Sequence, residues 1–406
     1  MKILHTSDWH IGQRLHGNDR DEEHRLFFDW LIRQINTEQV DALLIAGDVF
    51  DVGFPSNSAL KLYYTFLTSL IGTSCRQVVI IGGNHDYIST LEAPAKVLEA
   101  LNIKVIGGAR ENLEEELITL KSTDDVPEVV IAAVPFLRDK DIRLVNMGES
   151  YEDRVEAVNQ GIVNHYQQVA DLAAKNHLPI IAMGHLYVQG AALSESEREI
   201  HIGNLAGLDV RSFPNLFDYV ALGHIHRPQK LDLDGRVRYC GSPLPLSFSE
   251  CQDQKQIIVL DVNDSGISAI NPIAIPGFRR LISFKGNFPD VEMKMKGYVT
   301  SSQLNDWAEV TIEEPEMNPA LRTQFEELVE RMNTMDNGWR IIKPSLRFEN
   351  QNNLGFEQEE TASLADMAVT DVFDRLLETR QVNNREELAQ TFAELMDHVQ
   401  HQTEND

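Results

Sequence analysis

Five times along this chain a short apolar stretch is followed, just past its end, by a carboxylate, an amide or a histidine: LHTSDWH, LLIAGDVFD, VVIIGGNHD, IIAMGHL and YVALGHIH. The side chains so placed are Asp8, His10, Asp48, Asn84, His85, His185, His224 and His226. They offer oxygen and nitrogen and no sulfur, which suits two borderline-hard divalent cations such as Mn²⁺ and poorly suits a thiolate zinc site. Two neighbouring cations need a carboxylate between them to offset their repulsion, and together they lower the pKa of a shared water so that hydroxide exists near neutral pH. Asp48 is the candidate bridge. Each fragment alone is weak, because a lone histidine is more often hydrogen-bonded structure than ligand. The ordered set is what points to a two-metal site.

These groups can meet only if the chain delivers each to a common rim. An apolar run of strand length bounded by Gly reads as a buried strand, which places all eight side chains on loops leaving strand ends, where α/β proteins bind ligands. In G-H-x-H, regular strand geometry would not take His224 and His226 to two different metals; both can serve only if the chain turns there. The D-x-H spacing of Asp8 and His10 suits two ligands around such a turn.

With 406 residues, two or three domains are expected. Hydrophobic content of 42% and charged content of 24% belong to a globular chain. No apolar run approaches the roughly 20 residues that cross a bilayer. MKILHTSD enters a strand with one basic residue and no cleavable apolar segment, so a cytoplasmic location with no membrane contact is expected. Cys75, Cys240 and Cys251 are odd in number and form no C-x-x-C, which argues for reduced, packed thiols. A net charge of −27 excludes a simple basic grip on nucleic acid; a polyanionic substrate must be held by metal, by local basic patches or by a partner.

Residues 1–272 alternate strand-like and helix-like segments and form the expected catalytic domain. Helices are expected over about Asp21 to Asn36 and about Asn57 to Ile71, the second rich enough in apolar residues to serve either the core or a contact with another chain. Glu111 to Glu128 reads as an acidic surface hairpin with a short strand at Leu117 to Leu120, taken as a solvated excursion, and Ile273 to Gly277 as a linker. Residues 278–348 read as a small α/β cap domain, and 362–401 as a helix pair whose apolar stripe must be covered, by a docked partner ahead of packing on the cap.

The ordered motifs resemble the calcineurin-like metallophosphoesterase superfamily. Within it, SDWHIG (Ser7 to Gly12), GDVFDVGFPS (Gly47 to Ser56), GNHD (Gly83 to Asp86), ALGHIH (Ala221 to His226) and the more discriminating YCGSPLPLSFSE (Tyr239 to Glu250) resemble the nuclease subunits of bacterial SbcCD-type complexes, a double-strand-break repair family. The resemblance implies an α/β metallophosphoesterase β-sandwich of two mixed sheets flanked by helices, with the small cap domain and C-terminal helix pair. It implies two divalent ions per chain, most simply Mn²⁺, one on Asp8, His10, Asp48 and His226 and the other on Asp48, Asn84, His185 and His224. His85 is then left to orient the scissile phosphate and protonate the leaving 3′-oxygen. The implied activity is exonucleolytic cleavage of duplex ends and endonucleolytic cleavage of hairpins or single strands, by in-line attack of hydroxide. The implied partners are double-stranded and single-stranded DNA, an SbcC-type SMC-like ATPase, and a second copy of the chain, giving a homodimer within a heterotetramer.

Two rivals use the same residues. A phosphatase or small-molecule phosphodiesterase shares the metals, but protein phosphatases of the superfamily carry an arginine where this chain has Val52, and G-N-H-E where it has Asp86. A non-catalytic scaffold would be expected to have lost ligands, and none is missing. Blander readings go to His5, taken as structural, and to Trp9, taken as a wall of the cleft. Arg14, Arg138, Lys140, Arg143, Arg227 and Lys230 are taken as solvated charge able to hold a phosphate backbone.

Overall fold

Strands that are apolar at every position can be buried only between two covers, and this chain supplies both. The computed structural model describes residues 1–142, 150–197, 207–316, 318–348 and 392. One six-stranded sheet runs in the order Gly266–Ala274, Gln256–Asn263, Lys2–Thr6, Ala42–Ala46, Gln77–Ile81, Ile103–Ile106; the last four are parallel and the first two antiparallel. The other runs Gln229–Lys230, Val237–Tyr239, Tyr219–Gly223, Ile180–His185, Pro127–Ala133, Leu117–Lys121, with four central parallel strands and antiparallel edges.

Side-chain alternation explains the layering. In Ala42–Ala46, Leu44 faces the second sheet and packs in one cluster with Ile131, Ile181 and Ala221. Leu43 and Ile45 face the other way, against Phe27, Leu31, Tyr63 and Phe66 of the helices Asp21–Glu38 and Asn57–Ser69. On the outer face of the second sheet, Val220 and Ala182 meet Val158, Ile162 and Tyr166 of the helix Tyr151–Ala173. The result is a mixed-sheet α/β sandwich, helix on sheet on sheet on helix. A Leu44→Ala cavity at its centre would cost about 2–5 kcal/mol.

Three expectations change. Leu117–Lys121 pairs antiparallel with Pro127–Ala133, so the expected short strand and hairpin are present, but they form a sheet edge and not a solvated excursion. Glu116 is fully buried there because His165 Nε2 sits 2.7 Å from its Oε2 and the Arg110 N–H donates to its Oε1. The stretch read as a linker begins as strand, since Gly266–Ala274 pairs along its length with Gln256–Asn263. Trp9 is fully buried, not a cleft wall: its indole packs edge-on against Phe28 and Phe66 and donates to Thr6 Oγ1 at 3.0 Å.

Met1–Ile312 and Pro319–Leu346 form one compact unit. The strands Leu281–Gly286, Asp306–Glu314 and Trp339–Phe348, which belong to it up to Ile312 and Leu346, form a three-stranded sheet that carries the helices Phe288–Gly297 and Pro319–Thr334. Arg279 anchors this sheet: its Nε donates to Glu23 Oε2 at 2.9 Å while its guanidinium lies 4.2 Å over the Trp307 ring. The second unit, Glu313–Asn318 with Arg347–Asp406, falls almost wholly outside the described residues, as does the expected helix pair at 362–401. No helix among the described residues is long and apolar enough to cross a membrane.

Candidate metal centre

Each parallel strand that ends at this rim must turn at once, and the turns are sharp. Asp8, His10, Asp48 and His224 all hold left-handed backbone, with φ of 52°, 44°, 49° and 98°. Such conformations are rare outside glycine and persist only where the surroundings over-determine them. Here they do. The N–H groups of Asp8, His10 and Ile11 donate to Gly47, Asp48 and Val49 carbonyls, each at 3.0 Å, which zips the first two loops together. The His224 N–H donates to Asp8 Oδ1 at 2.8 Å, and the His85 N–H to Asp48 Oδ1 at 2.9 Å. Gly83 must be glycine because a side-chain carbon there would overlap the Asp48 carboxylate.

All eight sequence-predicted residues converge. Asp8, His10 and His226 can bring one ligand atom each within 4.8 Å of one another, as can Asp8, Asp48 and His185. Asn84 Oδ1 lies 3.0 Å from His185 Nε2 and 3.2 Å from His224 Nδ1. Asp48 joins the two halves, with its Oδ2 3.5 Å from His10 Nε2 and 3.3 Å from His185 Nε2. The left-handed turn at His224 lets His224 and His226 reach opposite sides of the site, His224 beside His185 and His226 beside His10, with ring centroids 5.5 and 5.0 Å apart.

The donor chemistry fits divalent cations. His10 Nε2 is buried with no hydrogen bond among the described residues. Burial, helped by Asp48, pushes the Asp8 carboxyl up to about 7, against the pull of the neighbouring imidazoles. Burial opposes charge on His10 and His185, yet the surrounding carboxylates, Asp51 and Asp48 foremost, raise both to about 9. The site is divided: burial opposes charge on Asp48, yet His185 and His85 hold it well below the usual carboxylate range, while burial, His10 and Lys255 hold His226 well below the usual imidazole range.

Similarity to known proteins agrees with this geometry. The family described as calcineurin-like phosphoesterase matches residues 1–228, and that described as type 5 capsule protein repressor C-terminal domain matches residues 277–381. The SbcD subunit of the nuclease SbcCD from Escherichia coli (strain K12) is 33% identical over 392 residues, 95% of each chain. The chain belongs to the SbcD family of calcineurin-like phosphoesterases. The SbcD protein of Rhodobacter capsulatus is 41% identical over 68% of this chain and 69% of its own, and that of Bacillus subtilis 31% over 70% and 72%.

In this member of the SbcD family, three acids matter that the strand-end motifs alone do not assign to the site. Asp51 Oδ1 accepts from His10 Nδ1 at 3.1 Å, and its carbonyl accepts from His85 Nδ1 at 2.7 Å. The second Asp of G-D-x-x-D was the available signal. Asp86 accepts three backbone N–H bonds, from Val49, Phe50 and Gly83, at 3.0–3.1 Å, and so braces two site loops. Glu250, the last residue of GSPLPLSFSE, is fully buried and paired with Lys255 at 2.5 Å. Burial pushes its carboxyl up, but the Lys255 ammonium and the bonds it accepts more than offset that and hold it below the usual range. Of the cations considered for phosphate contacts, Arg138 is paired with Asp141 and Arg227 with Asp253, each at 3.0 Å, and Arg143 lies outside the described residues.

Proposed function

We propose that this chain is the metal-dependent nuclease subunit of an SbcCD-type complex, cleaving DNA phosphodiesters at duplex ends, hairpins and single strands. The observation that carries the reading is the convergence of seven candidate ligands and His85 on one rim, in a chain alike over 95% of its length to a nuclease subunit. Asp8, His10, Asp48 and His226 would hold one divalent ion, and Asp48, Asn84, His185 and His224 the other. Mn²⁺ is the ion the oxygen and nitrogen set suits. Ions so held would polarise the phosphodiester and make hydroxide available near neutral pH.

The chain's own residues supply the rest. A carbonyl oxygen can only accept, so His85 gives its Nδ1–H to Asp51 and turns Nε2 toward the substrate. That nitrogen is the one to protonate the departing 3′-oxygen. Asp51, by holding His10 and His85 together, keeps a ligand and the acid in register; their rings lie 4.7 Å apart. Residues 1–272 would carry the chemistry, 278–348 a cap along which duplex lies, and 362–401 the docking site for an SbcC-type ATPase. The family resemblance supports a homodimer within a heterotetramer acting in the cytoplasm at the nucleoid. An acidic subunit suits such an assembly, because the ATPase can supply much of the positive surface.

The test compares Mn²⁺-dependent hydrolysis of bis-p-nitrophenyl phosphate, p-nitrophenyl phosphate and a DNA hairpin. Diester and hairpin cleavage is expected. Activity on the monoester alone would make the protein a phosphatase, and activity on none a scaffold.

A further inference from the structure

Three histidines of the site have Nδ1 tied to an oxygen that can only accept: His10 to the Asp51 carboxylate, His85 to the Asp51 carbonyl and His185 to the Ala46 carbonyl. In each Nδ1 carries a proton, so Nε2 is the nitrogen left to face a cation or the substrate. His226 differs. Its Nδ1 lies 2.6 Å from Ser196 Oγ, a hydroxyl able either to donate or to accept.

Glu250 removes the ambiguity. Its Oε1 lies 2.5 Å from the same Ser196 Oγ, and its Oε2 takes the Lys255 ammonium at 2.5 Å and the Leu246 N–H at 3.2 Å. A carboxylate paired with a buried ammonium only accepts. The hydroxyl has one proton; were it given to His226, or to Ser194 Oγ 2.8 Å away, two oxygen lone pairs would face each other across the shorter Ser196–Glu250 contact. The proton must point to Glu250, which leaves Ser196 as acceptor and His226 as donor. The His226 backbone is held as well: its N–H donates to Glu197 Oε1 at 2.9 Å and its carbonyl accepts from Lys255 Nζ at 2.8 Å.

We propose that Glu250 and Ser196 form a positioning relay that locks His226 in the Nδ1–H tautomer and presents its Nε2 lone pair to the cation held with Asp8 and His10. The proposal rests on the reading of His226 as a ligand. It gives a role to the GSPLPLSFSE segment, which brings Glu250 to the site from outside the five strand-end motifs. Outer partners of metal-bound histidines typically affect metal affinity by about 10–100-fold.

Glu250→Gln would strand the buried Lys255 ammonium and threaten the fold, so Ser196 carries the test. Full-length, metal-free protein labelled with ¹⁵N in its histidine rings reports tautomers through long-range ¹H–¹⁵N couplings, with His226→Ala assigning the signal. The wild type and Ser196→Thr, which keeps the hydroxyl, are expected to show Nδ1–H at His226; Ser196→Ala is expected to lose that bias. Mn²⁺ titration followed by electron paramagnetic resonance should find one of two sites weakened about 10–100-fold in Ser196→Ala and restored in Ser196→Thr. An unchanged tautomer, or two unchanged affinities, in Ser196→Ala would overturn the relay. If His226→Ala itself binds both Mn²⁺ ions as the wild type does, the ligand assignment is wrong and the relay falls with it.

Discussion

Asp48 Oδ1 accepts a hydrogen bond from the backbone N–H of His85 at 2.9 Å, so the residue proposed to bridge two cations also positions the residue proposed as the acid. Asp48→Asn keeps an oxygen for that bond and loses the charge. It is expected to lose Mn²⁺ occupancy, read by elemental analysis. Turnover should fall by more than the roughly 10–100-fold typical of losing an outer partner. Full metal content in this variant would remove Asp48 from the bridge.

His85 makes the opposite case, because its ring is tied to Asp51 and is assigned no metal. His85→Gln or His85→Ala should leave Mn²⁺ content unchanged while lowering kcat by roughly 10²–10⁴-fold, the contribution of a general acid. Wild-type turnover with metal content confirmed would exclude His85 from proton transfer.

Glu23 is buried between two guanidinium groups, Arg20 and Arg279. Burial pushes its carboxyl up, and the two arginines outweigh burial and hold it below the usual range. Glu23→Gln leaves two cations under-compensated and should cost about 3–5 kcal/mol, as breaking buried pairs does. The denaturant midpoint measures this, and a variant as stable as the parent would show the pair contributes nothing.

His5 sets a pH dependence. Burial, aided by Arg238 and opposed by a backbone hydrogen bond, lowers its pKa from 6.5 to about 3. An unfolded chain therefore takes up a proton on this group as pH falls through 6.5, while the folded chain does so only near 3. More protons on the unfolded state means stability decreases as pH drops across that window, by up to about 1.4 kcal/mol per pH unit for one group. His24, also lowered by burial, adds in the same direction. Urea midpoints measured from pH 7 to pH 4 should fall less steeply in His5→Gln; an identical slope would dismiss His5 as the cause.

Much of the site is legible in the sequence because chemistry at strand ends leaves a local signature. An apolar run, a glycine and a donor can be read within ten residues, and all eight groups so marked meet at one rim. The supporting residues are harder to see. Asp51, Asp86 and Glu250 act through backbone N–H groups and through other side chains, and such partnerships have no fixed sequence spacing: Ser196 meets Glu250 across 54 positions. Trp9 and Glu116 depart from expectation for a related reason. An aromatic next to a ligand and an acid in an acidic run look exposed until the helix or histidine that covers them is in place.

The sequence by itself determined which atoms are available: oxygen and nitrogen donors, glycines where loops approach closely, and strands apolar on both faces that must be covered twice. Tertiary structure alone decided which donors share a space and which ring nitrogen each histidine turns inward. The reason is physical. A strand's composition records how deeply it is buried, a property of its own residues, whereas a tautomer is set by whichever acceptor the fold brings to the far side of the ring. For His226 that acceptor is reached through Ser196 from Glu250, 24 residues further along the chain.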